Sequence, residues 1–178
     1  TAVSTTAVST TAVPTTAVPT TAAPGTAAPT TARAPIVLGF AGDTSFTDGL
    51  DQRDPFAAVA DLMQAPDLMV VNLETAVADP GVGRPPVDKR YLFVSPPTSL
   101  DLLVDAGVDV VALANNHVLD FGVDALEQTL EEIDARSLHR VGAGLDESAA
   151  YAPLIIDVGD WTVGLVAFSR VPCDWSAA

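Results

Sequence analysis

The 178-residue sequence has a single cysteine, Cys173, so it can form no internal disulfide and has no cysteine-rich zinc site. It is also poor in positive charge. Arg33 is the only charged residue before Pro35, and residues 35–178 hold 7 basic against 23 acidic side chains, a formal charge of −16. Such a surface repels a polyphosphate and offers no cluster of Lys or Arg to release its counterions, which excludes a nucleic-acid partner. No apolar run reaches 18 residues, and no charged-then-apolar leader is visible. The glycines of VGAG (141–144) and LGFAGD (38–43) match neither a dinucleotide-binding fingerprint nor a P-loop, and a Gly-x-Ser-x-Gly elbow is missing.

What is present divides in two. Residues 1–35 read as seven pentapeptides dominated by Thr, Ala, Val, Ser and Pro, with Gly25 and Arg33 as the exceptions. A five-residue period fits neither helix nor strand, and without large apolar side chains nothing offsets the entropy of ordering. Residues 1–34 are therefore expected to be a disordered linker, a spacer between an anchor and an extracytoplasmic, envelope-associated domain. The chain starts at Thr1, inside the repeat, which leaves membrane attachment through an upstream segment as an open expectation.

From Pro35 to Ala178 the pattern is that of a single α/β domain. IVLGFA (36–41), LMVVNL (68–73) and VDVVALA (108–114) are near-continuous apolar runs, and YLFV (91–94) is a shorter one. Helical spacing appears after Asp54 (Phe56, Val59, Ala60, Met63), before Gly107 (Leu100, Leu103, Val104) and after Gly122 (Val123, Leu126, Leu130, Ile133). PLIIDV and WTVGLVAF, separated by Gly159 and Asp160, predict a hairpin. The whole implies a mainly parallel sheet covered by helices, whose ligand-binding residues gather at the carboxyl ends of the strands.

Those ends are polar. The first run leads into Asp43, Thr44 and Ser45; the second delivers Asn72 and Glu74 to one side; the third ends in Asn115, Asn116 and His117, with Asp120 three residues on. Carboxylate, amide and imidazole are the donors a divalent cation takes. Each is also an ordinary turn, cap or loop residue when met singly.

GDTSF, VVNLET and above all DAGVDVVALANNHVLDFG, followed by a helix and GAG, resemble the bacterial capsule-synthesis CapA family of poly-gamma-glutamate capsule biosynthesis, within the calcineurin-like metallophosphatase superfamily. The resemblance runs from about residue 36 to the end. It implies the N-terminal part of a layered β-sandwich with divalent metal ions as cofactors. Asp43, Glu74 and Asn116 would be metal ligands, His117 the acid that protonates a leaving oxygen, and Asn72, Asn115 and Asp120 supporting residues. The substrate it implies is a phosphoester or an anionic envelope polymer, alongside other capsule-assembly proteins.

The sequence departs from the superfamily at two points. Ser45 stands where an Asp-x-His motif has its histidine. The Gly-His-x-His motif of the C-terminal half is missing, and the second histidine, His139, reads as a surface or packing residue. The chain therefore reads as a domain cut off partway. Two functions stay open, a metal-dependent phosphoesterase when the full domain is present and a non-catalytic module that binds or exports an anionic polymer, and so does a fragment with neither role.

Overall fold

The computed structural model describes residues 33–47, 54–85 and 89–171. The expectations for the linker and for Cys173 fall outside these residues. In chain order the elements are β1 (Leu38–Thr44), α1 (Ala60–Gln64), β2 (Leu68–Leu73), β3 (Ala76–Val77), β4 (Val94–Ser95), α2 (Ser99–Asp105), β5 (Val110–Ala112), α3 (Gly122–Ala135), β6 (His139–Val141), α4 (Glu147–Tyr151), β7 (Leu154–Val158) and β8 (Trp161–Leu165).

The main sheet has the order β1-β2-β5-β6 with every pairing parallel, as near-continuous apolar strands alternating with helices require. Register pairs Asp43 with Asn72, and Asn72 with Ala112, so the three polar strand ends lie side by side. The pairing of β1 with β2 is irregular between Phe40 and Asp43, which re-aims the end of β1.

Alternation along β2 builds two layers. Met69, Val71 and Leu73 meet Leu100 and Leu103 of α2 and Leu126, Leu130 and Ile133 of α3. Leu68 and Val70 point the other way, where Leu154, Ile156, Val158, Val163 and Leu165 of the β7–β8 hairpin cover them. Helices therefore cover one face and an antiparallel ribbon the other, a helix–sheet–sheet layering. The hairpin turns at Gly159-Asp160, where Gly159 takes φ +55.

Several local expectations are corrected. YLFV does not join the main sheet: only Val94 and Ser95 are extended, and they pair with β3 as a separate parallel ribbon. Val104 and Val123 are exposed, because their helices present a narrower apolar stripe than the sequence spacing suggests. The helix after Asp54 starts only at Ala60. Asp54 does accept the Phe56 N–H at 3.2 Å, but Val59, at φ −127 and ψ 6, departs from helical geometry. His139, expected as a surface or packing residue, is exposed and opens β6.

Candidate functional site

Asn115 explains how an apolar strand can end in two amides and an imidazole. Its Oδ1 accepts the N–H groups of His117 (2.9 Å) and Val118 (3.0 Å), closing a turn with its own side chain. Its Nδ2 donates to the Leu73 carbonyl (2.9 Å) and to Asn72 Oδ1 (3.1 Å), tying the turn to the end of β2. Asn72 Nδ2 in turn donates to Asp43 Oδ1 at 2.7 Å. A chain of amides thus links the ends of β5, β2 and β1 in one row.

Glu74 follows β2 directly, and its N–H donates to the Thr44 carbonyl at 2.9 Å. Burial holds its carboxyl above the ordinary value; a hydrogen bond to Asp43 and the Asp43 charge push the same way, while His117 and Lys89 pull it down. Two carboxyl groups therefore crowd one spot, Asp43 exposed and Glu74 partly so.

His117 is buried, with 7% exposure. Its Nδ1 lies 2.7 Å from Asp120 Oδ2, and its Nε2 faces Glu74 Oε1 at 3.9 Å. Phe93 stacks on the imidazole, 4.1 Å between ring centres and 15° from parallel. Asp120, 3% exposed, also accepts the Phe93 N–H at 2.7 Å and Lys89 Nζ at 2.6 Å. Lys89 donates as well to the Asn116 carbonyl at 2.7 Å.

Asp43, Asn72, Glu74, Asn115, His117 and Asp120 are thus brought into one contiguous network. Asn116 enters it through its backbone carbonyl. Sequence reasoning missed Lys89 and Phe93. A signal for the first was available: Lys89 is the only lysine in the chain. Phe93 carried none, since one aromatic in a short apolar run reads as core.

Whether these groups suit a divalent ion is decided by donor chemistry. Among the described residues no three His, Cys, Asp or Glu side chains are arranged to hold a metal ion, so an imidazole- or thiolate-rich cage is not what the site offers. It offers adjacent carboxyl oxygens, one of them raised by burial and by the neighbouring carboxyl, beside an amide-rich rim. In addition, the Ser45 hydroxyl, two residues beyond Asp43, is buried without a hydrogen-bond partner. Oxygen donors in this state fit a hard cation that completes its coordination with amide oxygen or water.

No helix among the described residues is long and apolar enough to cross a membrane. The family model for the bacterial capsule synthesis protein PGA_cap matches residues 30–178. A probable polyglutamine synthesis accessory protein of Mycobacterium tuberculosis, found in two strains, is 34% identical over 137 residues, which is 72% of this chain and 35% of the relative. An uncharacterized protein of Sinorhizobium fredii is 26% identical over 116 residues, 63% of this chain and 25% of that protein. The chain thus spans 35% of the length of the mycobacterial relatives. The strand-end motifs, the parallel sheet that aligns them and a family match covering residues 30–178 agree, and the chain belongs to the bacterial capsule synthesis protein PGA_cap family.

Proposed function

We propose that the strand-end network is a metallophosphatase-type site, which hydrolyses a phosphoester during the synthesis of an anionic capsule polymer of the polyglutamate kind. The observation that carries this reading is the meeting of Asp43, Glu74 and His117 from the ends of three adjacent parallel strands. Asp43, Glu74 and the Asn116 amide are the groups that would hold a divalent cation. Such an ion supplies charge neutralisation at a phosphoryl oxygen.

The chain's own residues do the rest. Asp120, acceptor-only when ionised, fixes the His117 ring through Nδ1. That leaves Nε2, on the side of the carboxyl pair, as the atom that in the imidazolium form would hand a proton to a leaving oxygen, returning the ring to the neutral Nδ1–H tautomer. Phe93 covers one ring face and keeps water from it. Asn72 and Asn115 hold Asp43 and the His117 turn at fixed separation.

The mycobacterial relatives are named as polyglutamine synthesis accessory proteins, which supports a place beside polymer-making machinery. An extracytoplasmic position at the cell envelope, with the Thr/Ala/Pro tract as spacer and an anchor upstream, goes with that reading. The domain charge of −16 favours a bridging cation wherever a polyanion approaches. The test is metal-dependent hydrolysis of an aryl phosphodiester by the purified protein, abolished in Asp43→Ala and His117→Ala. A second reading, non-catalytic polymer binding, has Ser45 in its favour, a poor ligand where the superfamily has histidine. Polymer binding that survives both chelation and Asn116→Ala, with no hydrolysis, would establish it instead.

A further inference from the structure

We infer that Lys89 is a positioning residue, which through Asp120 fixes the tautomer and orientation of His117 and at the same time pins the backbone of Asn116. Lys89 Nζ reaches three groups of the network: Asp120 Oδ1 at 2.6 Å, the Asn116 carbonyl at 2.7 Å and, more distantly, His117 Nδ1 at 3.4 Å. An ammonium can only donate, so its bonds go to the carboxylate and the carbonyl. The Asp120 side chain is 1% exposed, and a carboxylate that deep is tolerable only when paired and hydrogen-bonded. Lys89 supplies the cationic partner. With Asp120 held as an acceptor, its Oδ2 takes the Phe93 N–H and requires the proton of neutral His117 to sit on Nδ1.

The same ammonium joins two segments far apart in sequence, the approach to β4 and the Asn115–Asp120 turn. A compact head with three donors meets two acceptors and still keeps a fifth of its side-chain surface in contact with solvent. Lys89 therefore sets where the ring lies and which nitrogen is free. The catalytic consequence rests on the hydrolytic reading above; the positioning itself does not.

The chain has one lysine and two histidines, so its imidazole and ammonium resonances can be resolved in the intact protein. In long-range nitrogen–proton NMR, at a pH where added base no longer changes its signals, His117 should show a single tautomer protonated at Nδ1. The exposed His139 serves as internal reference. The Lys89 Nζ protons should exchange with water far more slowly than those of a free ammonium. In Lys89→Met the His117 nitrogens should shift towards tautomer-averaged values, while His139 stays put. An Nε2-protonated His117 or a freely exchanging Lys89 in the unsubstituted protein would overturn the inference whether or not the variant folds. So would unchanged His117 nitrogens in a folded Lys89→Met.

In hydrolysis, Lys89→Met should lower kcat about tenfold, part of the ~10²–10⁴ that a placed acid contributes, with KM changed less than about twofold. Absence of hydrolysis in the unsubstituted protein would defeat the hydrolytic reading alone, leaving the NMR result to decide the role of Lys89.

Discussion

Asp120→Ala removes the carboxylate on which the site's polar contacts converge, and the structure sets the size of the effect. Three donors lose a partner: the Phe93 N–H at 2.7 Å, His117 Nδ1 at 2.7 Å and Lys89 Nζ at 2.6 Å. An orphaned buried N–H costs about 1–3 kcal/mol. Stripping one partner from a buried ion pair costs about 3–5 kcal/mol when the other is sealed in. Here Lys89 keeps 20% side-chain exposure and the Asn116 carbonyl, so its share lies well below that range. The sum is about 3–6 kcal/mol, which for a domain near this size lowers Tm by roughly 6–24 °C. Asp120→Asn, which keeps an acceptor for Phe93 and His117, should cost about half as much. A double-mutant cycle with Lys89→Met, followed by thermal and urea unfolding, should give a coupling of about 1–3 kcal/mol. Additive effects, or a loss below about 0.5 kcal/mol for Asp120→Ala, would refute the claim that Asp120 is the hub of the network.

Glu74→Gln should change how stability depends on pH. A carboxyl raised by folding contributes stability that is fully present below its ordinary value of 4.5 and is lost as pH rises through the raised one. In chelator-treated protein the Tm difference between variant and parent should therefore move in favour of the variant between acid and neutral pH; a constant difference would contradict the crowding of Asp43 and Glu74. Thr129→Val should cost about 1–3 kcal/mol in urea unfolding, because the fully buried hydroxyl accepts the Val77 N–H at 2.8 Å and tethers β3 to α3. Gly142→Ala should lower stability by about 2–4 kcal/mol: φ is +92, and a Cβ would stand 2.8 Å from the methyls of Ala114 and Ala167. An unchanged Tm in that variant would contradict the close approach of β6 to the strand-end turn.

Periodicity revealed the elements built on an apolar run or stripe, whether it is buried, as in β2, or largely exposed, as in β1. The strands β1, β2 and β5, the helices α2 and α3 and the hairpin were legible because each carries a continuous apolar run or stripe bounded by glycine or a polar cluster. The two-residue strands β3 and β4 were not, since Ala76-Val77 and Val94-Ser95 are too short for any period to register. Nor was β6, which begins with the polar pair His139-Arg140 and owes its extension to pairing with β5. At the site, the clustering of Asp43, Glu74 and His117 followed from the rule that parallel strands share a carboxyl edge. Lys89 and Phe93 come from the irregular segment before β4, where no periodic rule fixes direction; the lone lysine marked Lys89 as unusual, but only the folded chain brings the two to His117. Asn115 looked like a turn former and is one, yet its amide also bonds across to β2, a double use that sequence spacing does not encode.

Whether the ends of β1 and β2 grip a divalent cation, as proposed above, is decided by titrating manganese into the chelator-treated protein by calorimetry. One or two ions should bind, with Asp43→Asn and Glu74→Gln each weakening affinity at least about tenfold, or ~1.4 kcal/mol, and His117→Ala leaving it nearly intact. Binding of equal strength in the parent and in both carboxylate variants, or no binding in any of them, would contradict it.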